Sequence, residues 1–167
     1  SSVPWSAGNP YLRLVGYGLV DTYDGTVQLI KHGDDFFSNM FLDQYQDKVI
    51  EMPEWLEEQI RYPQELFNWR TEMYNIYHVT DVDIFIQANE FYEIPRGLDT
   101  YYIEAKPPGF EEPEFVGLLS LELRGSQGRN LAGYMVVEND TPNLGRMQFY
   151  EVPIESETKL LGPTSVR

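Results

Sequence analysis

The sequence predicts an α+β fold, in which an N-terminal hairpin and a C-terminal strand meander form an antiparallel sheet, with two to four helices between them. Three observations predict this class. Two β-prone runs near the N-terminus flank an Asp-Gly pair, the middle of the chain spaces its apolar residues like helices, and the last third alternates β-prone runs with breaks rich in glycine and proline. We expect 1–167 to form a single soluble domain, with 1–10 and 154–167 extended or poorly ordered.

The hairpin is predicted by Asp24-Gly25, which separates strands at about 11–21 and 26–31. Glycine accepts the positive φ that a tight turn requires. Asp21 and Asp24 also invite comparison with a calcium loop, but they lack the alternate ligand spacing and the terminal glutamate of a helix-loop-helix calcium site. The hairpin turn therefore explains both aspartates better.

Two helices are predicted in the next stretch. Apolar residues at 36, 37, 40, 41 and 45 have helical spacing, and Asp34 or Asp35 suits the cap. A short helix over 53–61 follows, because Pro53 suits a first helical position and the helix dipole favours glutamates in the early turns.

The stretch IRYPQELFNWRTEMYNIYHVTD, residues 60–81, predicts a longer helix over about 63–78. Pro63 begins this helix and forces Tyr62 out of the helical conformation. We expect one apolar stripe to face the core, formed by Leu66, Trp69, Met73, Ile76 and Tyr77. Thr80 followed by Asp83 resembles a capping box and predicts a third helix over 81–88, although the alternation in DVDIFI would also permit a strand.

The last third of the chain predicts the strand meander. The β-prone runs TYYIEAK, EFVGLLSLELR, LAGYMVVEN and RMQFYEVP are separated by the breakers PPG, GSQG and DTPNLG. Such breakers are typical of the connections between antiparallel strands.

The charge balance excludes some classes of partner. The chain has 27 acidic residues against 12 basic ones and a net charge of −15. Affinity for nucleic acid and for anionic lipid comes mainly from Lys and Arg, so we expect no nucleic-acid partner. We also expect no direct membrane insertion by this segment, because no window approaches the roughly 20 apolar residues of a spanning helix.

Two groups of residues are candidates for a site. Arg124, Ser126 and Arg129 in LRGSQGRN form the one locally basic spot, where a glycine-rich turn can direct backbone N–H groups at an anion or a partner. Arg61, His78 and Asp81 form a candidate polar site around the helix over 63–78. A metal needs three or more converging ligands and only one imidazole is local, so we expect no metal, no cofactor and no assigned catalytic residue.

Acidic side chains leave an enzymatic alternative open. Pairs of carboxylates hydrolyse glycosidic bonds when the fold sets them about 5 to 9.5 Å apart. Clustering of several carboxylates in one cleft, with at least one raised pKa, would favour such an enzyme. The candidates are Asp21, Asp81, Glu90, Glu93 and Glu104.

Several motifs resemble those of the uncharacterised protein family 0182 of bacterial multi-pass membrane proteins. They are VDTYDGTV, MPEWLEEQIRYPQELF, YHVTD, GRNLAGYM, YEVP and LLGPTSV, and Arg61-Tyr62-Pro63 lies in the most specific part. The resemblance implies an excerpt of a longer membrane protein, in which a set of membrane helices precedes a large domain outside the cytoplasm. It implies no activity, substrate or cofactor.

With the context that the resemblance implies, we expect a non-catalytic extracytoplasmic domain of a multi-pass membrane protein of the cell membrane, acting as a binding or interaction module. The expected partner is the protein's own membrane region or another envelope protein. The alternative is a carboxylate-based hydrolase domain that acts on cell-envelope polymers.

Overall fold

A computed structural model describes residues 12–77, 91–124, 130–152 and 160–163. By their internal contacts, these residues group into two compact units, with the boundary between Ile60 and Arg61. We call them the N-terminal unit and the C-terminal unit and describe each by itself. That the whole chain forms one domain stays a prediction.

The N-terminal unit is a small sheet followed by short helices. Strands β1 (Gly16–Val20) and β2 (Val27–Lys31) form the predicted antiparallel hairpin, and β3 (Val49–Ile50) pairs with β2 in parallel. Between β2 and β3 lie helix α1 (Phe36–Leu42) and a 3₁₀ helix (Asp43–Lys48). Helix α2 (Glu54–Glu57) is a single turn with Pro53 at its N-cap, and it is shorter than the predicted 53–61.

The hairpin turn uses both aspartates of DTYDGT. The Asp21 and Asp24 carboxylates accept backbone N–H groups at 2.7 Å and 2.8 Å, from Tyr23 and Thr26 respectively. Gly25 supplies the positive φ of +78°. The hairpin interpretation is therefore confirmed, and both carboxylates serve the turn.

The C-terminal unit is one long helix with a five-stranded sheet. Helix α3 (Gln64–Tyr77) is followed by β4 (Phe91–Glu93), β5 (Tyr101–Ala105), β6 (Glu114–Arg124), β7 (Asn130–Glu138) and β8 (Met147–Glu151). All pairings are antiparallel, and the strand order is β4-β6-β7-β8. Strand β5 also pairs with β6, along a different part of that strand from the part that pairs with β4. Strand β7 is central and buried on both faces, so the core forms around it and β6.

The α+β class is confirmed, with three α-helices and two mostly antiparallel sheets in the described part of the chain. The expectation of one sheet shared by the hairpin and the meander is wrong. The hairpin takes β3 as its third strand, because the chain returns beside β2 after α1 and supplies a β-branched pair, Val49-Ile50, to the open edge.

Two predictions concern segments that lie wholly or partly outside the described residues. The third helix over 81–88 and the segment 1–10 fall there, as does most of 154–167. Within the latter, Leu161 forms an antiparallel bridge with Asn130, and Leu131 N–H donates to Leu160 C=O at 3.0 Å. That part of the tail is extended and paired with the start of β7.

The buried face of α3 differs from the predicted stripe. Leu66 is buried as predicted, but Trp69 and Met73 are only half-buried. The most buried line of the helix is instead formed by Phe67, Thr71 and Asn75, at intervals of four. The side chains of Ile76 and Tyr77 lie outside the described part.

Candidate functional site: an aromatic face on helix α1

Helix α1 begins at a well-formed cap. Asp35 precedes the helix in an extended conformation, and its carboxylate accepts the N–H groups of Phe37 at 2.9 Å and Ser38 at 3.1 Å. The Ser38 hydroxyl also donates to Asp35, at 2.7 Å. These bonds satisfy donors that a helix start otherwise leaves open, so the cap fixes where α1 begins.

Helix α1 buries the side opposite to its aromatic residues. Its buried residues are Ser38 and Leu42. Five apolar side chains on α1 and the following 3₁₀ helix are exposed instead, and we call them the aromatic face. They are Phe36 at 73% exposure, Phe37 at 59%, Met40 at 51%, Phe41 at 44% and Tyr45 at 39%.

The aromatic face is continuous. Phe36 and Phe37 meet edge to face with ring centroids 5.4 Å apart, and Phe41 and Tyr45 meet at 5.5 Å. Neighbours four residues apart on a helix adjoin, so Met40 follows Phe36 and Phe41 follows Phe37. Given the 150–250 Å² that an aromatic side chain can bury, these five half-exposed residues present on the order of 500 Å² of apolar surface.

Acidic residues stand at both ends of the aromatic face. At the start of α1, Lys31 Nζ lies 2.7 Å from Asp34, and Arg13 pairs with Asp35 and places its guanidinium 5.4 Å from the centre of the Phe37 ring. Asp43 and Asp47 follow the helix, both exposed. Hydrogen bonds from Lys31 and Asn39 lower the pKa of Asp34, and those from Ser38 lower the pKa of Asp35. Both carboxylates therefore stay ionised at neutral pH.

A second polar arrangement surrounds Tyr62 in the C-terminal unit. The buried Tyr62 N–H donates to the Asn139 side chain at 2.7 Å, and the Tyr102 hydroxyl donates to Tyr62 C=O at 2.9 Å. Arg70 donates to the Tyr62 hydroxyl at 2.9 Å and to Gly145 C=O at 2.7 Å. These bonds connect Tyr62, two residues before the start of α3, to the sheet and to the β7–β8 turn, so the arrangement is structural.

A buried carboxylate lies beside that turn. Glu138 is 2% exposed, and Arg146 Nε lies 2.9 Å from its Oε1 at ion-pair distance but without hydrogen-bond geometry. Burial raises the pKa of Glu138, Arg146 opposes this shift, and the neighbouring Glu114 adds to it. The Glu138 backbone also holds the turn, donating to Arg146 C=O and accepting from Gly145 N–H.

Comparison with known proteins gives the family of the chain. Residues 12–167 match the Uncharacterised protein family (UPF0182). The chain belongs to this family. The resemblance that its motifs carry is thereby confirmed, whereas the membrane context that the resemblance implies stays a prediction.

Relatives of this UPF0182 chain come from diverse organisms, and each is described as a UPF0182 protein. One from Methanospirillum hungatei is 33% identical over 154 residues, 84% of this chain and 17% of that protein. Others come from Sulfurovum sp. (strain NBC37-1), 29% identical over 89% of this chain and 17% of that protein, and Geotalea uraniireducens, 29% identical over 99% and 19%. The chain thus spans less than a fifth of these relatives. No solved structure matches it.

Most predicted site residues of the UPF0182 chain lie outside the described residues. Ser126, Arg129, His78 and Asp81 fall there, as does the side chain of Arg124, whose backbone pairs with Phe91 at the end of β6. Neither candidate constellation can therefore be assembled from the described part, and both stay predictions.

Of the two candidate groups, Arg61 is the one residue whose side chain lies in the described part. Its guanidinium lies 5.4 Å from the centre of the Tyr102 ring and 5.3 Å from that of Phe115. A cation over two aromatic rings is a stabilising contact. Arg61 therefore packs on the rings beside the Tyr62 arrangement.

Neither metal binding nor membrane crossing gains support from the described residues. Within 12–77, 91–124, 130–152 and 160–163, no group of three or more His, Asp or Glu side chains could hold a metal ion. Over the same ranges, none of the helices has the length and apolar character needed to cross a membrane.

The carboxylates named for the hydrolase alternative are dispersed in role. Asp21 serves its hairpin turn, Glu93 lies on β4 and Glu104 is exposed on β5. Asp81 and Glu90 lie outside the described part. Glu138, whose pKa is raised by burial, is not one of these carboxylates and is almost closed to solvent. The hydrolase alternative stays a prediction.

The aromatic face was not predicted as a site. The spacing of its residues predicts a helix only, because helical spacing indicates an apolar stripe without saying which side is buried. The sequence does contain one signal for an exposed stripe, which is the acidic residues on both sides of it. The apolar pairs 36–37 and 40–41 lie between GDD and DQYQD.

Proposed function

We propose that this UPF0182 chain is a non-catalytic extracytoplasmic domain of a multi-pass membrane protein, and that it acts as an interaction module through the aromatic face. The partner is the protein's own membrane region or another envelope protein. The observation that carries this proposal is the exposure of four apolar side chains on one side of α1. The Asp35 cap, and not these side chains, fixes the start of the helix.

The size and composition of the aromatic face support binding. The largest apolar patch on a typical soluble monomer covers about 300–600 Å² and is often functional, and the aromatic face is of this size. Aromatic residues and Met are enriched at protein interfaces, where a few of them supply most of the binding energy. Leaving three phenylalanines in water gives the folded chain no benefit, so a partner that covers them explains their presence.

The location can be tested with a single cysteine, because the chain contains none. Tyr23→Cys places a thiol at a hairpin turn whose native side chain is 98% exposed. In full-length protein freed of other cysteines, we expect a membrane-impermeant maleimide to label this thiol in intact cells. Labelling only after the membrane is opened would place the domain in the cytoplasm and contradict the proposal.

The interaction can be tested by site-specific photo-crosslinking in the full-length protein, in native membranes. We expect p-benzoylphenylalanine at position 40 to give a defined protein crosslink, whereas the same group at position 23 gives none. Position 23 is the matched control, since it is also exposed but lies in the hairpin turn. A yield at position 40 no higher than at position 23 would overturn the interaction module.

A further inference from the structure

We infer that the aromatic face is covered by a basic amphipathic segment of the same full-length polypeptide, with its apolar side on the phenylalanines and its Lys or Arg side chains at Asp43 and Asp47. This inference rests on the proposed function and specifies the chemistry of the partner. Three observations carry it: the charge around the face, the end of α1, and the length of the relatives.

The charge of the N-terminal unit favours a cationic occupant. Residues 12–60 carry ten acidic side chains against three basic ones. Two of those bases, Arg13 and Lys31, are already paired with Asp35 and Asp34 at the start of α1. The other end of the face carries Asp43 and Asp47 beside Lys48 alone, so that end stays negative.

The carboxylates at the end of α1 have little basic compensation of their own. Asp43 is the C-cap of α1, whose last turn contains no basic residue. The backbone continues from Asp43 into the 3₁₀ helix, in which Lys48 is the single base against Asp43 and Asp47. A cationic side chain from another segment would complement the charge that is left at this end of the face.

A second copy of the chain and a lipid surface fit the face less well. Two N-terminal units would bring together two patches with the same acidic ends, and like charges that face each other across an interface are unfavourable. The anionic headgroups of a bilayer would meet the same acidic ends. The aromatic residues alone would suit either occupant, and the charge decides against both.

The length of the relatives places a candidate within reach. This chain matches 17–19% of the length of its UPF0182 relatives, so more than four fifths of such a protein is other sequence. A segment in the same polypeptide binds at an effective concentration that a separate partner would need to match, on the order of millimolar for a short flexible tether.

The identity of the crosslinked product at position 40 tests this inference. In the full-length protein, we expect an intramolecular crosslink, which mass spectrometry assigns to a segment where Lys or Arg alternates with apolar residues. A crosslink to a different protein, or to an acidic segment of the same polypeptide, would overturn the inference and leave the interaction module standing. A crosslink to a phospholipid or between two copies would overturn both the inference and the partner named in the proposed function. Absence of any crosslink above the position-23 control would instead remove the proposed function.

The charge contribution is tested by the double substitution Asp43→Asn and Asp47→Asn. We expect the intramolecular crosslink yield to fall about tenfold, and also to fall in the unsubstituted protein between 50 and 500 mM NaCl, because exposed charge pairs are screened. The control Glu111→Gln with Glu112→Gln removes the same charge from exposed positions of the C-terminal unit and should leave the yield unchanged. Equal yields from all three proteins would overturn the basic character of the segment.

Discussion

Tyr62 shows how single residues organise the C-terminal unit. Its N–H, carbonyl and hydroxyl each meet a different partner, contributed by Asn139, Tyr102 and Arg70. Burial raises the pKa of the Tyr102 hydroxyl, with Arg61 opposing, so this donor keeps its proton at neutral pH. Tyr62 is therefore held by three partners directly before Pro63 and the start of α3.

Gly145 tests the packing against Tyr62. It has a φ of +87°, and a Cβ atom there would lie 2.5 Å from the Tyr62 ring. We expect Gly145→Ala to lower the free energy of unfolding by about 2–5 kcal/mol, from about 1–2 kcal/mol of backbone strain plus overpacking. Gly109→Ala is the control, because Gly109 has a φ of +93° with nothing within 4 Å. If urea unfolding gave the same loss of unfolding free energy for both variants, the Tyr62 ring would move aside for the new Cβ atom without a cost in stability.

His32 gives the N-terminal unit a predicted pH dependence. Burial lowers the pKa of this histidine below its usual 6.5, and its ring lies edge-on to Tyr17 with centroids 6.2 Å apart. The unfolded chain therefore binds the proton first as the pH falls, so stability is lost below about pH 6.5. We expect His32→Gln to flatten this part of the unfolding free-energy profile between pH 7 and 5. If the unfolding free energies of the wild type and the variant differed by the same amount at every pH, this prediction would be wrong.

Helices α1 and α3 show what periodicity can and cannot predict. Helical spacing and the cap residues predicted the start of α1 after Asp34 or Asp35, and both ends of α3 to within one residue. They did not predict the buried side, because α1 buries Ser38 and α3 buries Thr71 and Asn75 while larger apolar neighbours stay more exposed. Burial depends on what packs against a helix, and that information lies far away in the sequence. The short strands β3 and β4 escaped prediction for the same reason.

Helix α3 permits a direct test of its buried side. Phe67 is fully buried, whereas Trp69 is half-buried. We expect Phe67→Ala to cost about 3–5 kcal/mol, because it leaves a cavity, and Trp69→Ala to cost clearly less. Chemical denaturation of both variants measures the difference. If Trp69→Ala proved the costlier change, the apolar stripe predicted from the sequence would describe the core better than the line through Phe67 does.

The net negative charge of the whole molecule bears both on its choice of partner and on its stability. The net charge of −15 argued against nucleic acid and anionic lipid from the sequence alone, and the same charge frames the aromatic face. Composition therefore predicts the charge of the proposed partner. It does not predict where the proposed contact lies, because that depends on which side of α1 exposes its phenylalanines.

The same net charge predicts how the stability of the chain responds to salt. Excess charge of one sign opposes the compact state through self-repulsion, and salt screens it, with a Debye length of about 30 Å at 10 mM and about 8 Å at 150 mM. We therefore expect the Tm at pH 7 to rise by several degrees between these NaCl concentrations. Near the sequence pI of 4.3 the repulsion is largely absent, so the same salt step should leave the Tm almost unchanged. Calorimetry at both pH values provides the comparison, and an equal rise at both would assign the effect to something other than net charge.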